Sequence, residues 1–206
     1  ITCAEQLIPC SLELGRSDAA IVLDDADVQY AADGIAWTRF SNAGQTCVAP
    51  KRVYVEAAAY DAFVQAMQRA VQSIRVGAGD AVDTEVGPLI RPQAAATIAE
   101  QLADAVAQGA TVAAQATAPA RDGFHPPTVL TDVTDRMRVM REETFGPLLP
   151  VVKVRDADEA ISRANTSEFG LSASVWTRDH ARGIAVAQRL QTGSVQINDA
   201  ISIVGM

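Results

Sequence analysis

The chain has 206 residues and a formal net charge of −8, and 49% of its residues are hydrophobic. This length and composition predict one large α/β domain with a real core and exclude an intrinsically disordered protein. The negative charge argues against nucleic acid or an anionic membrane surface as a partner. The sequence also shows no apolar run as long as a membrane span and no signal peptide.

The cysteines and histidines indicate a reducing setting and no metal site. The three cysteines, Cys3, Cys10 and Cys47, are an odd number without metal-ligand spacing. We therefore expect free thiols and a cytoplasmic protein. His125 and His180 are isolated in the sequence, and we expect exposed or capping side chains rather than catalytic ones.

The first part of the chain predicts a mixture of strands and amphipathic helices. Strands are expected where apolar residues alternate or cluster, and helices where they recur at helical spacing. The predicted elements are a buried strand over 8–14, a helix over 24–40, a strand over 52–56, a helix over 60–74, an irregular connection over 76–91, a helix over 94–108 and a strand over 111–115.

The last third of the chain gives the clearest alternation of strand and helix. The pattern predicts strands over 148–154, 171–177 and 193–198, separated by helices over 156–164 and 180–190. Strands made of apolar runs that alternate with helices are typical of a parallel sheet buried on both faces. The predicted fold class is therefore α/β, with a mainly parallel open sheet and helices on both faces.

Cys47 is the strongest candidate for chemistry. It lies in the segment Phe-Ser-Asn-Ala-Gly-Gln-Thr-Cys-Val-Ala-Pro at residues 40–50, where Gly44 and Pro50 predict a turn. A free cysteine is most often a small buried hydrophobe, but a thiol on a turn can be reached by a ligand. A thiol nucleophile needs a separate base to activate water in the second half of a covalent reaction.

Glu13 is the candidate for that base. It is a lone carboxylate in the apolar segment Leu-Glu-Leu-Gly at residues 12–15. Its apolar neighbours predict partial desolvation, which raises the pKa of a carboxylate and suits a general base. The alternative is a carboxylate at the end of a strand with a capping role.

Three segments in this order resemble the aldehyde dehydrogenase superfamily: Leu-Glu-Leu-Gly at 12–15, Asn-Ala-Gly-Gln-Thr-Cys at 42–47 and Glu-Glu-Thr-Phe-Gly-Pro at 142–147. The 34 positions between Glu13 and Cys47 are similar to the family's separation of base and nucleophile. The resemblance runs from end to end of the chain. It implies that residues 1–206 form the family's catalytic, thiol-bearing domain.

The resemblance implies oxidation of a small-molecule aldehyde to a carboxylate with NAD or NADP as cofactor. In that reaction Cys47 forms a thiohemiacetal and then a thioester, and Glu13 activates the hydrolytic water. Glu143 is the match for a glutamate that accepts hydrogen bonds from the nicotinamide ribose. Phe145 packs beside the nicotinamide, and Leu171 lines its pocket unless it is simply a core residue at the start of a strand. The family also implies a homo-oligomer.

Two further residues are assigned supporting places by the same resemblance. Asn198 matches a family asparagine that supports the active-site loop. Glu142, beside Glu143, is expected to be solvated.

The chain departs from the family pattern at Arg16, where a second glycine is usual. If the φ angle there is positive, a non-glycine residue costs on the order of 1–2 kcal/mol, and the cation would also weaken Glu13 as a base. No glycine-rich dinucleotide-binding fingerprint is present in the sequence. We therefore expect a chain cut at both ends that lacks the dinucleotide-binding domain and binds NAD weakly or not at all alone. The alternative function is an impaired or non-redox remnant: a weak esterase or a binding-only domain with a reactive thiol.

Overall fold

The structure is a computed structural model, and it describes residues 2–10 and 15–200. Within those residues the strands are β1 (Ala19–Val22), β2 (Arg52–Glu56), β3 (Thr111–Gln115), β4 (Thr128–Thr131), β5 (Leu148–Val154), β6 (Ser172–Trp176) and β7 (Ser194–Ile197). The helices are α1 (Thr2–Glu5), α2 (Val28–Phe40), α3 (Ala57–Gln72), α4 (Pro92–Ala107), α5 (Arg138–Arg141), α6 (Ala157–Asn165) and α7 (His180–Ala187). A 3₁₀ turn over Ser41–Gly44 follows α2 directly.

The strands form one seven-stranded sheet in the order β3-β4-β5-β2-β1-β6-β7. Every neighbouring pair is parallel except β3 and β4, which are antiparallel. Strands β1, β2, β4 and β6 are buried along their whole length, as expected for strands covered on both faces.

The direction of the crossovers places helices on both faces of the sheet. The connection from β1 to β2 through α2 runs toward one side of the sheet, and the connection from β5 to β6 through α6 runs toward the other. Because such crossovers are right-handed, α2 and α6 must cover opposite faces. The predicted α/β class with a mainly parallel sheet is confirmed.

The predicted elements agree with the structure in most places and fail in three. Strands β2, β3 and β5 have the predicted bounds. Strands β1 and β4 were missed. The strand predicted over 8–14 is wrong for residues 8–10, where Ile8 is 57% exposed and Pro9 has no N–H to donate to a sheet, and residues 11–14 lie outside the described part.

Helix α2 begins at Val28 rather than at residue 24, because the acidic residues before it make hydrogen bonds outside the helix or cap it. Asp27 is the N-cap, and its side chain accepts a hydrogen bond from the amide of Tyr30. Asp25 instead accepts from the hydroxyl of Thr177 and the amide of Asp179. The residues before α2 therefore join strand ends rather than extend the helix.

The two histidines have different surroundings. His180 is exposed at the start of α7, as expected. His125 is buried, and its Nδ1 lies 3.0 Å from the carbonyl oxygen of Pro126, so the expectation of an exposed or capping side chain is wrong for it. Burial lowers the pKa of His125.

None of the helices within residues 2–10 and 15–200 is long and apolar enough to cross a membrane.

Candidate active site

Four loops meet at the amino edge of the parallel sheet, the edge where these strands begin. Residues 142–147 precede β5, 45–51 precede β2, 15–18 precede β1 and 166–171 precede β6. These four strands are consecutive neighbours in the sheet. The fold therefore brings Cys47, Glu143, Phe145 and Leu171 onto adjoining loops, although they are far apart in sequence.

Cys47 lies on a turn and is half-buried. The chain enters that turn through three left-handed residues, Asn42, Ala43 and Gly44, with φ angles of 53°, 54° and 72°. The amide and side-chain nitrogens of Gln45 both donate to the carbonyl oxygen of Asn42, each at 3.1 Å. This self-bonded turn keeps Cys47 out of a strand interior, as the glycine and proline of the sequence predict.

Lys51 holds the same turn from the protein interior. Its side chain is fully buried, and Nζ donates to the carbonyl oxygens of Thr46 at 3.1 Å, Cys47 at 2.9 Å and Ala49 at 3.1 Å. Burial, followed by repulsion from Arg39, lowers the pKa of Lys51 to about 8. Three carbonyl acceptors favour the ammonium form, because only that form has three hydrogens to donate.

The Cys47 turn is pressed directly against the loop before β5. A β-carbon on Gly44 would lie 2.5 Å from both the carbonyl carbon and the carbonyl oxygen of Gly146. Real side chains do not approach backbone atoms so closely. The positive φ angle and this contact together require glycine at position 44.

Arg39 organises the loop before β5 in the way that Lys51 organises the Cys47 turn. Its buried guanidinium donates to the carbonyl oxygens of Thr144 at 2.9 Å and Leu148 at 3.0 Å, and also to that of Gly146. Burial lowers the pKa of Arg39 to about 9, and the charge of Glu143 opposes this. The loop that carries Glu143 and Phe145 is therefore fixed through its backbone.

The two adjacent glutamates have different partners. The Glu142 side chain is 40% exposed, as expected for a solvated residue, and it also accepts from Nε of Arg138 at 2.8 Å and from Gln101 at 3.3 Å. The Glu143 carboxylate has no hydrogen bond or ion pair among the described residues, and its half-buried side chain lies against Gly15. A carboxylate with both oxygens free suits the two hydroxyls of a ribose.

The other predicted residues are divided between the two edges of the sheet. Phe145 is 43% exposed beside Glu143, and Leu171 is half-buried immediately before β6. Asn198 lies at the opposite edge, where its amide oxygen accepts from the Thr177 amide at 2.9 Å and its amide nitrogen donates to the Thr177 carbonyl at 2.8 Å. It supports the ends of β6 and β7 rather than the Cys47 turn. Glu13 lies outside the described residues.

The comparison with known protein families matches residues 1–204 to the aldehyde dehydrogenase family. The chain belongs to that family. The resemblance carried by the three sequence motifs is thereby confirmed.

Among curated relatives of this aldehyde dehydrogenase chain, two are 42% identical over 200 residues. One is the NADP-dependent succinate-semialdehyde dehydrogenase GabD of Escherichia coli, of which the match covers 97% of this chain and 42% of the relative. The other is a glutarate-semialdehyde dehydrogenase of Pseudomonas aeruginosa, where the match covers 97% and 41%. The chain thus spans less than half the length of these enzymes.

Solved structures of aldehyde dehydrogenases share the fold. The NADP-dependent glyceraldehyde-3-phosphate dehydrogenase of Bacillus halodurans, solved with NADP, has a TM-score of 0.90 at 40% identity over 98% of this chain and 43% of that one. The lactaldehyde dehydrogenase of Escherichia coli has a TM-score of 0.90 at 39% identity over 98% and 43%.

Arg16 is accommodated without backbone strain in this aldehyde dehydrogenase chain. The residues other than glycine with positive φ in the described part are Leu7, Asn42, Ala43, Asp132 and Asn198. Arg16 is not among them, so the expected conformational cost at that position is wrong. Its charge instead helps to stabilise the ionised form of Asp18, whose pKa burial raises.

The sequence analysis missed Arg39 and Lys51, two of the three buried cations among the described residues, although their spacing contained a signal. Arg39 lies four residues after Ile35, on the apolar stripe of α2 that also carries Phe40. Lys51 lies two residues before Val53, on one side of an alternating strand. A basic residue in phase with buried neighbours predicts a buried cation with specific acceptors.

Proposed function

We propose that this chain is the catalytic part of an NAD(P)-dependent aldehyde dehydrogenase, with Cys47 as the nucleophile. The observation that carries the proposal is the placement of Cys47 on a half-buried turn beside the loop of Glu143, whose carboxylate has no hydrogen bond or ion pair among the described residues. Family membership supports the reaction class. Residues 1–206 act as one catalytic domain in this proposal.

The covalent steps begin at the sulfur of Cys47. The thiolate attacks the aldehyde carbon, a C–S bond forms, and the carbonyl oxygen becomes the alkoxide of a thiohemiacetal. The backbone amide of Cys47 is a donor available to that alkoxide. A nicotinamide cofactor held by Glu143, Phe145 and Leu171 would accept the hydride of that carbon, and Cys47 would then carry the thioester.

Hydrolysis then releases the product. Glu13 takes a proton from water as the water oxygen attacks the thioester carbon. The C–S bond breaks, the carboxylate leaves, and the Cys47 thiolate is restored. One water is consumed, and the aldehyde is oxidised by two electrons.

The cofactor is assigned to the loop before β5. Glu143 would accept hydrogen bonds from the two ribose hydroxyls, with Phe145 beside the nicotinamide and Leu171 in the wall of the pocket. The free carboxylate and the exposed ring of Phe145 support this placement. Relatives named for NADP support NADP or NAD as the cofactor.

The names of the relatives suggest the substrate class. They include succinate-semialdehyde, glutarate-semialdehyde and 3-sulfolactaldehyde dehydrogenases, all of which act on short aldehydes with an acidic group. We propose a substrate of that kind and a cytoplasmic enzyme, in keeping with three free cysteines.

The test is NADP reduction in a full-length enzyme carrying this segment, followed with succinate semialdehyde as substrate. Cys47→Ala should lower turnover by at least about 10³-fold, because it removes the nucleophile. Cys10→Ala, which changes an exposed free cysteine, is the matched control and should leave turnover unchanged.

A trapping experiment distinguishes the steps. Glu13→Gln should accumulate an acyl group on Cys47, detected by intact mass spectrometry and peptide mapping. Full activity of Cys47→Ala would exclude the proposed nucleophile. Ester hydrolysis without NADP reduction in the otherwise unchanged enzyme would favour the non-redox alternative.

A further inference from the structure

The two lysines of this sequence, Lys51 and Lys153, occupy opposite environments. The Lys153 side chain is 50% exposed, and its ammonium lies 3.9 Å from the carboxylate of Asp61. Lys51 is fully buried and gives all of its hydrogen bonds to backbone carbonyls of residues 46–49. Burying a cation without a carboxylate partner costs free energy of folding, so the position of Lys51 requires a specific explanation.

The groups around Lys51 leave its charge without a direct counterion. No carboxylate within the described residues forms an ion pair with it, and the nearest buried acid, Asp18, is bonded to the Ser172 hydroxyl at 2.5 Å and the Ser172 amide at 3.2 Å. Four charged groups face Lys51 from the neighbouring segments: Asp18, Arg39, Cys47 and Glu143. Arg39 repels it, and the other three attract it.

We propose that Lys51 is a positioning residue for the nucleophile: its buried ammonium clamps the turn that presents Cys47 and stabilises the ionised form of the sulfur. The proposal rests on the proposed function, since it assumes that Cys47 reacts as a thiolate.

The clamp follows from the hydrogen bonds. One ammonium satisfies the carbonyl oxygens of Thr46, Cys47 and Ala49, which surround the reactive residue on both sides. Removing the donor leaves the carbonyl oxygens of Cys47 and Ala49 without their ammonium partner, while that of Thr46 keeps only the amide of Ala49 at 3.3 Å. That penalty is relieved only if the turn rearranges. The thiol would then lose its fixed direction toward a substrate.

The stabilisation of the sulfur follows from reciprocity. A negative charge on Cys47 favours the ammonium form of Lys51. The same interaction energy must favour the thiolate when Lys51 is charged, because the coupling between two sites is mutual. A lysine near a thiol is one of the environments that make cysteines reactive.

The experiment separates the clamp from the charge in the 206-residue chain. Lys51→Gln keeps a hydrogen-bond donor and removes the charge, Lys51→Arg keeps both, and Lys153→Met removes a charge from the surface. The rate of Cys47 alkylation by iodoacetamide at pH 7 is measured by peptide mapping. The thiolate absorbance at 240 nm is followed between pH 5 and pH 9 against a Cys47→Ala reference, with thermal unfolding as the check on folding.

We expect Lys51→Gln to alkylate about tenfold more slowly and to show less thiolate absorbance at the same pH. Lys51→Arg should retain most of the rate, and Lys153→Met should match the unchanged chain. A folded Lys51→Gln with unaltered rate and absorbance overturns the role of Lys51 and leaves the proposed function standing. If Cys47 in the unchanged chain reacts no faster than Cys3 or Cys10, the nucleophile assignment fails instead.

Should Lys51→Gln unfold, Lys51→Arg still decides the question. A folded Lys51→Arg with a fast Cys47 supports the charge. A folded Lys51→Arg that has lost the fast reaction overturns the proposal, because charge and donors are both present.

Discussion

The cations at the two edges of the parallel sheet have different kinds of partner. At the carboxyl edge, Arg182 of α7 binds Glu56 at 3.0 and 2.9 Å, Asp24 at 2.5 Å and Asp25 at 3.2 Å. At the amino edge, Arg39 and Lys51 bind only backbone carbonyls. Arg182 is thus paired with three carboxylates, whereas Arg39 and Lys51 form no ion pair among the described residues.

This difference separates a structural connection from a reactive site. The carboxylates around Arg182 join the ends of β1 and β2 to α7, and their charges cancel within the cluster. The amino-edge cations instead fix the backbone of the two loops that carry Cys47 and Glu143. Backbone carbonyls as acceptors leave the carboxylate of Glu143 free of an ion pair with these cations, so it can serve a ligand.

The largest expected effect is a loss of stability when the contact of Gly44 with Gly146 at the amino edge is disturbed. Gly44→Ala places a β-carbon 2.5 Å from Gly146 and forces a positive φ angle on alanine. We expect a loss of about 4 kcal/mol from the free energy of unfolding, from strain and overpacking together. Chemical denaturation measures it.

Gly183→Ala is the control at the other edge. Its β-carbon would meet side-chain carbons only, Thr177 Cγ2 at 3.0 Å and Ile197 Cγ2 at 3.1 Å, and alanine favours the helix. A change within about 1 kcal/mol is expected. Equal losses for both variants would contradict the importance of the Gly44 contact.

The next largest effect is the loss of stability when Arg39 at the amino edge or Arg182 at the carboxyl edge is replaced. Arg39→Met removes a donor that three buried carbonyls share, although that of Gly146 keeps the amide of Leu148. The loss should cost about 3 kcal/mol, with little dependence on salt. Arg182→Met leaves three carboxylates without a cation at a partly exposed site, so its loss should be smaller and should change with ionic strength. Urea unfolding at low and high salt measures both, and a strong salt dependence for Arg39→Met would contradict the account.

The pH dependence should also distinguish the edges. The pKa of Lys51 is lowered from 10.5 to about 8, so the unfolded chain binds more protons between those values. Stability should therefore rise with pH in that range, by about 2 kcal/mol at most between pH 8 and pH 10. Lys51→Gln should lose part of this rise, while Arg39, with its pKa lowered to about 9, retains the rest.

The carboxyl edge should respond at acid pH instead. The Arg182 guanidinium lowers the pKa of Asp24 from its ordinary value of 3.8. The contribution of Asp24 to the free energy of unfolding is therefore fully present above pH 3.8, and it is lost as the pH falls through the lower pKa of the folded chain. Unfolding curves from pH 2 to pH 10 show both responses. A flat alkaline limb in the unchanged chain would contradict the burial of a charged Lys51.

The smallest effect concerns Asn198. Asn198→Ala removes two hydrogen bonds to Thr177 and should cost about 1 kcal/mol. Because these bonds are at the carboxyl edge, the rate of Cys47 alkylation should stay the same. A slower Cys47 in this variant would restore the predicted role of Asn198 in supporting the active-site loop.

The sequence predicted the fold where apolar strands alternate with helices, as in β5, β6 and β7. It missed β1, because two of its residues are alanines, whose strand propensity is weak. It missed β4 because Pro126 and Pro127 mark a turn directly before the strand.

The sequence predicted the separate motifs of the candidate site but not the contacts that bring them together. Cys47 and the Glu143 segment were found from turn residues and family resemblance. That Gly44 touches Gly146, and that Arg39 and Lys51 fix the two loops, depends on long-range packing that periodicity does not contain. The buried cations were visible only as basic residues in phase with buried positions.

The most direct test of the central claim is the reactivity of the three cysteines in one experiment. The chain is treated briefly with iodoacetamide at neutral pH, and Cys3, Cys10 and Cys47 are quantified by peptide mapping. Cys10 is exposed and Cys47 is half-buried, so accessibility alone predicts that Cys10 reacts first. The account predicts that Cys47 is labelled faster than both others. Labelling that follows exposure, with Cys10 ahead of Cys47, would contradict it.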